Sequence, residues 1–522
     1  MPERSRFWLS LYLMCFALLA APLTAQQPPA SPPDAKTAEA AKGQDKGQDK
    51  KPAPEEKSSR TQHSITLDGQ KIPYTATAGT ILLKDEDGTP KASVFSIAYT
   101  RDGVKDPGTR PVTFAFNGGP GSASLWVHMG AFGPKRVERD PEGMALKPPG
   151  RMVDNEFSLL DTTDLVFIDP VDTGYSRTVP GQDPKQFHGV LQDVQSVGEF
   201  IRLWVTRNQR WASPKFIAGE SYGTTRAAGL ARYLDERYGM QLNGVVLVSS
   251  VLNWQNQEFH TGNDMPYIVH LPTYAATAWY HKKLAPELEQ RDLRSVLEEV
   301  EEFSRTEYAQ ALLEGDRLSA DRRKEIAAKV AHYSGLSPDY VERTNLRIDI
   351  YRFVKELLRD EGKTVGRLDT RFTGRDLDSA GENFEYDPAS ASVGGPYVAA
   401  ANDYIRRELN FQEDLPYEFL SDKVFPWSFE DYQNQYLNMA EYLRQAMVRN
   451  PDLKVLITAG YYDLATPYYD AFFTVDHLNL PPELRDHIRI TTYEAGHMMY
   501  IRASEHRRLK QEIVKFIGEA TR

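Results

Sequence analysis

Lys215-Phe216-Ile217-Ala218-Gly219-Glu220-Ser221-Tyr222-Gly223 is the stretch on which the fold turns. Residues 215–218 suit a short buried strand, and residues 224–237 have a helix-like texture. A serine held between such a strand and helix sits on a turn so sharp that flanking side chains would collide, and Gly219 and Gly223 remove them. The five-residue pattern alone arises by chance. The strand before it and the helix after it make Ser221 a candidate nucleophile.

Working outward, further strand-like runs occur at residues 112–116, 165–168, 245–248, 454–458 and 488–492. Those at 112–116, 165–168 and 245–248, like 215–218, are apolar on both faces with helical stretches between them, and sheet-like sequence returns at 454–458 and 488–492, which predicts a mostly parallel, covered sheet in an α/β domain. Asp68-Gly69 and Asp87-Gly88 are suited to hairpin turns, so antiparallel strands should precede that sheet, with folded sequence beginning near His63. Between about 253 and 383 the pattern becomes helical, as in Leu293, Val296, Leu297, Val300 and Phe303, and Ser337-Pro338 supplies a capped helix start. A helix is expected over 468–475 and another near 505–517. The expected organisation is a first half-domain at 61–252, an inserted helical cap at 253–383 and a second half-domain at 384–522.

Arg4 and Arg6 precede an apolar run, residues 7–21, followed by Leu23-Thr24-Ala25. That order predicts a signal peptide over 1–25 and an exported protein, periplasmic or secreted, of a bacterium. Cys15, the one cysteine, lies inside the run, so no disulfide is expected in the mature chain. Residues 26–60 are rich in Pro, Ala, Lys, Gln and Asp, a composition for a disordered linker. The net charge of −11 excludes electrostatic attraction to nucleic acid or to an anionic membrane.

Serine is a poor nucleophile near neutral pH, so a base must take its proton and an acid must orient that base. Asp463, in Gly460-Tyr461-Tyr462-Asp463, follows the run at 454–458, and His497, in Ala495-Gly496-His497-Met498, follows the run at 488–492. Both fall at C-terminal strand ends, where open α/β sheets keep their sites. Asp470 and Asp476 are rivals, set in or after a helical stretch, while His128, His188, His260, His332 and His506 have no comparable context. A developing oxyanion needs backbone donors brought close by glycines, and Asn117-Gly118-Gly119-Pro120-Gly121 follows the run at 112–116. The N–H groups of Gly119 and Tyr222 are the expected donors.

In this order the motifs resemble the serine carboxypeptidases: the Asn117–Gly121 loop, Phe167-Ile168-Asp169-Pro170 with Gly174-Tyr175-Ser176, the elbow at Ser221, Asp463, and Gly496-His497-Met498. The resemblance implies an α/β-hydrolase fold with a helical insertion and an enzyme that removes single residues from peptides with a free C-terminal carboxylate. It further implies that Asn117, the Gly118 N–H and Glu220 hold that carboxylate. Two carboxylates in hydrogen-bond contact cannot both be ionised cheaply, so Glu220 should be protonated in the complex and binding should favour acidic pH. Ser122 stands where many relatives carry a disulfide-forming cysteine, which puts the pocket shape of those relatives in doubt here. No metal or other cofactor is expected, since His-Glu-x-x-His is missing and no compact set of His and acidic residues stands out. An esterase or acyltransferase using the same three residues is the alternative reading, and a catalytically inert binding protein the third.

Overall fold

The computed structural model describes residues 55–522. The expected signal segment and most of the expected linker lie outside them. One correction falls at that boundary: β1 (Ser58–Leu67) starts inside the segment read as linker and five residues before His63. Its alternating side chains are mostly polar, which hides the strand from a hydrophobicity reading. Pairing along its whole length with β2 (Gln70–Lys84), from Ser58 opposite Gly79 to Leu67 opposite Gln70, is what orders it. Asp68 and Gly69 turn the chain between them with φ of 48° and 79°, as a two-residue hairpin requires.

The remaining strands of the main sheet are β3 (Pro90–Arg101), β4 (Val112–Phe116), β5 (Asp164–Ile168), β6 (Lys215–Ser221), β7 (Gly244–Ser250), β8 (Lys454–Gly460) and β9 (Ile488–Tyr493), with a two-residue strand, Arg177–Thr178, paired to β3. Their order is β1-β2-β3-β5-β4-β6-β7-β8-β9. The first three are antiparallel to their neighbours, and from β5 to β9 every pairing is parallel. The sheet is therefore mixed and mostly parallel. Every residue of β4, β5 and β7 is buried, as expected of strands covered on both faces.

The chain leaves β4 toward β5 on one side and reaches β6 on the other, so the strand order reverses between β4 and β6. Open α/β sheets part their loops at such a point and leave a crevice at the C-terminal strand ends. Phe116, the last residue of β4, lies opposite Gly219 of β6, which sets the Asn117–Gly121 loop beside the elbow. Helices α1 (Val190–Arg207) and α2 (Tyr222–Tyr238) cover one face of the sheet, within a core that includes Phe114, Ile217 and Leu247. The other face carries a core with Phe95, Tyr397, Tyr493 and Phe516.

Helices α3 (Met265–Tyr280), α4 (Leu293–Phe303) and α5 (Ala320–Ser334) form the helical block and share a core with Leu271, Leu297, Val300 and Phe353. The apolar stripe of α4 is the one legible in the sequence, and all five of its residues are buried. The Ser337 side chain accepts from Tyr340 N at the start of the helix Pro338–Arg343. Helical structure does not stop near 383: α6 (Pro388–Arg407) follows and buries Tyr397, Tyr404 and Ile405 against the sheet. Its small residues and internal Pro396 weaken the helical periodicity in the sequence. α7 (Tyr468–Asp476) and α8 (Ala503–Ala520) complete the fold. Among the described residues no helix is long and apolar enough to cross a membrane.

Candidate active site

Ser221 ends β6 and precedes α2, with φ 61° and ψ −131°. A non-glycine residue in that region carries about 1–3 kcal/mol of strain, tolerated only where surrounding packing enforces it. Enforcement is visible at Gly219, where an added Cβ would lie 2.2 Å from the Gly223 carbonyl oxygen. No side chain caps the start of α2, so its first amides and the positive end of its dipole face Ser221. The Tyr222 ring is buried edge-on against Trp427 at 5.5 Å and Trp254 at 6.2 Å between ring centres, which anchors this residue beside Ser221.

Asp463 and His497, 34 residues apart in sequence, meet at the ends of β8 and β9: Nδ1 of His497 lies 2.7 Å from Oδ2 of Asp463. Both side chains are buried. Oδ1 of Asp463 accepts from the amides of Ala465 and Thr466, and Oδ2 also accepts from the Thr466 hydroxyl. With its other lone pairs taken up in this way, the carboxyl is fixed in place, and its contact with Nδ1 sets the tautomer and orientation of the imidazole. Burial alone would depress the imidazole, but the charge and hydrogen bond of Asp463, with the charge of Glu220, hold His497 above its ordinary value. The Ser221 hydroxyl makes no hydrogen bond to the imidazole here, and such contacts commonly tighten only when substrate is bound.

Glu220 is buried beside Ser221. Oε1 accepts from Asn117 Nδ2 at 2.9 Å and Oε2 from the Tyr500 hydroxyl at 2.6 Å. The Asn117 amide has one possible orientation, because its Oδ1 accepts from the backbone of Trp126 and Val127. Burial pushes the Glu220 carboxyl up to about 7, against the opposing pull of His497 and of the Tyr500 hydrogen bond. Glycines line the loop above: Gly119 has φ 103°, and a Cβ on Gly118 would lie 2.4 Å from the Tyr222 nitrogen.

The rivals stand elsewhere. Asp470 is held by Asn256, Gln257 and Thr474, and Asp476 pairs with Arg485 near the surface. His128 is bonded to the Tyr99 hydroxyl and His506 to the Ala131 carbonyl. His188 does form a buried pair with Asp172, at 2.8 Å, but both sit in the segment leading to α1 rather than at the strand ends that carry Asp463 and His497. Among the described residues no group of three or more His, Cys, Asp or Glu side chains is arranged to hold a metal ion.

Several contributors escaped the sequence reading. Thr466 and Tyr500 each lie three residues after a candidate residue, a spacing that one turn of chain brings back to the site. Ser249 donates to the His497 carbonyl. Residues 366–372, carried between the short paired strands Thr364–Val365 and Thr373–Gly374, touch both turns: His497 N donates to Leu368 O, Gly496 N to Asp369, Leu464 N to Arg367 O and Thr370 N to Tyr462 O. Arg226 is buried beneath the loop at 117–121, where it donates to the Asn117 carbonyl.

With this geometry in hand, residues 89–510 match the model of a family described as serine carboxypeptidase. Serine carboxypeptidase-like 33 of Arabidopsis thaliana is 27% identical over 140 residues, 26% of this chain and 27% of the relative. Carboxypeptidase Y homolog A of Talaromyces stipitatus is 32% identical over 119 residues, 22% of this chain and 19% of the relative. The chain thus spans about a third or less of the length of the curated relatives it matches. Among solved structures it is similar to Kex1, a prohormone-processing carboxypeptidase from Saccharomyces cerevisiae, with a TM-score of 0.53 and 14% identity over 85% of this chain and 91% of that one. At that identity the likeness speaks for the fold alone, which is the α/β-hydrolase fold.

Proposed function

Because the chain belongs to the serine carboxypeptidase family, we propose that it removes amino acids from the free C-termini of peptides through an acyl-enzyme on Ser221. The observation that carries this reading is the buried Glu220–Asn117 pair beside the nucleophile, since a general esterase has no use for a high-pKa carboxyl at that place. His497 takes the Ser221 proton as the hydroxyl attacks the scissile carbonyl, and Asp463 fixes the imidazole with its proton on Nδ1. The oxyanion is received by the N–H groups of Gly119 and Tyr222. His497 then protonates the leaving amino acid, and water repeats the sequence to release the shortened peptide. Asn117, the Gly118 N–H and protonated Glu220 hold the terminal carboxylate until it departs with that amino acid. Residues 1–25 support export to the periplasm or beyond the cell.

The charge of His497 lowers Glu220 and that of Glu220 raises His497, so the two titrate as a pair. The productive complex needs one proton, and needs it on Glu220 with His497 neutral. A substrate carboxylate selects that arrangement because an ionised Glu220 would repel it. Raising the pH removes the proton, so binding of free-acid peptides is fully present at acidic pH and is lost as pH rises through the Glu220 value of about 7.

The expected result is a KM for free-acid peptides that climbs about tenfold per pH unit above that point, since each unit costs one proton, while C-terminally amidated peptides show no such limb. In Glu220→Gln the limb should vanish, because an amide donates at every pH. KM measured between about pH 6 and pH 8.5 for matched free-acid and amidated peptides tests both statements. Equal cleavage of the two peptides by the wild type would remove the carboxylate clamp and leave an esterase built on the same residues.

A further inference from the structure

We propose that Arg226 is the positioning residue of the carboxylate clamp: from within the core it grips the Asn117 carbonyl and so aims the Gly118 N–H, on the opposite edge of the same peptide unit, into the cleft. This rests on the reading above that Asn117, Gly118 and Glu220 hold the substrate's carboxylate.

Arg226 lies one turn into α2 and is 1% exposed, the largest fully buried side chain among the described residues. Its Nε donates to Oδ2 of Asp193, on α1, at 2.7 Å, and its Nη1 donates to the Asn117 carbonyl at 2.6 Å. The guanidinium also packs over the rings of Phe116, at 5.0 Å, and Tyr222, at 5.5 Å. One cation thus joins the end of β4, the elbow, α1 and α2. An ion pair this deep adds little to stability over an apolar pair of similar volume; what it offers that an apolar pair lacks is a fixed, charged hydrogen-bond donor.

The geometry supplies one. The Asn117–Gly118 peptide is trans, and in a planar trans unit the C=O and the next N–H point in opposite directions. Holding the oxygen from the core side fixes where the Gly118 N–H points. Gly118 rests against the start of α2, where even a Cβ would come within 2.6 Å of the Gly223 nitrogen, so the loop cannot rotate this peptide without lifting off the helix. A charged donor on the carbonyl also polarises the unit and makes its N–H a better donor. Asp193 neutralises the guanidinium, so the effect is one of orientation and polarisation rather than a general attraction for anions. A lysine offers no planar fork to reach both partners.

The test compares one peptide in free-acid and C-terminally amidated form, with kcat and KM measured separately for wild type, Arg226→Lys and the double variant Arg226→Met/Asp193→Leu. The double change removes the pair as a unit and leaves no uncompensated charge in the core. The expected result is a fall of tenfold or more in the preference for the free acid, carried by its KM, in variants that still melt cooperatively. An unchanged preference overturns the proposal, and so does an equal loss on both peptides, which a merely structural residue would give. Failure of both variants to fold would overturn it too, by making Arg226 a residue of the core alone. A wild type with no preference for the free acid would sink the clamp reading itself, whereas a preference retained in the variants sinks only the role of Arg226.

Discussion

Ser221→Ala is expected to lower turnover by about a millionfold and to abolish covalent labelling by a fluorophosphonate. The size follows from the way such residues act as a unit: without the hydroxyl, the neighbouring base has nothing to activate, and what remains is binding and oxyanion stabilisation. Folding should survive the change. The backbone at this position, φ 61° and ψ −131°, is imposed by the packing of Gly219 against Gly223 and not by the serine side chain, so alanine inherits the same strain. Mass spectrometry of the labelled protein, read beside kcat on a chromogenic peptide, checks both effects. A wild type that fails to label would end the reading as an enzyme and leave an inert hydrolase fold that binds peptides.

Asp463→Asn should cost about ten-thousandfold in kcat with little change in melting temperature, because it reverses the imidazole's tautomer. The direction is set by what surrounds the carboxyl. Oδ1 takes two backbone amides, from Ala465 and Thr466. In the asparagine variant only the amide oxygen can occupy that place, which forces the NH2 group toward His497. An NH2 group facing Nδ1 makes that nitrogen an acceptor, moves the ring proton to Nε2, and leaves no site to receive the serine's proton. Thr466 can adapt, since a hydroxyl accepts as readily as it donates. Steady-state kcat with a parallel thermal melt decides the matter, and a loss of less than tenfold would show that Asp463 does not set the tautomer.

What the sequence makes legible is what lies within one turn of chain. Gly219 to Gly223 and Asn117 to Gly121 declare themselves because strand, turn and glycines are covalent neighbours. The sheet is legible because strands covered on both faces carry runs of apolar residues, as residues 114–116 of β4 and 245–248 of β7 do. The polar strand β1 is not, for the same reason in reverse: it is ordered by backbone pairing with β2 that leaves little mark in hydrophobicity.

Contacts between distant segments are silent. Nothing near Glu220 announces Tyr500, and nothing near Asn117 announces Arg226, which in sequence is one arginine in a helix. The His188–Asp172 pair shows the converse hazard, since histidine and aspartate in buried contact do not by themselves mark chemistry. Residues 366–372 belong by sequence to the helical stretch and by contact to the turns bearing Asp463 and His497.

The placement of β8 and β9 has a consequence for biosynthesis. The elbow is built from β4, β6, β7 and α2, all of which leave the ribosome before the helical block, whereas the acid and the base arrive only with strands made after it. On the function proposed above, Ser221 is therefore synthesised well before either residue that would activate it. The turns that bear Asp463 and His497 are also clasped by residues 366–372, so on that reading activity would await completion of the sheet.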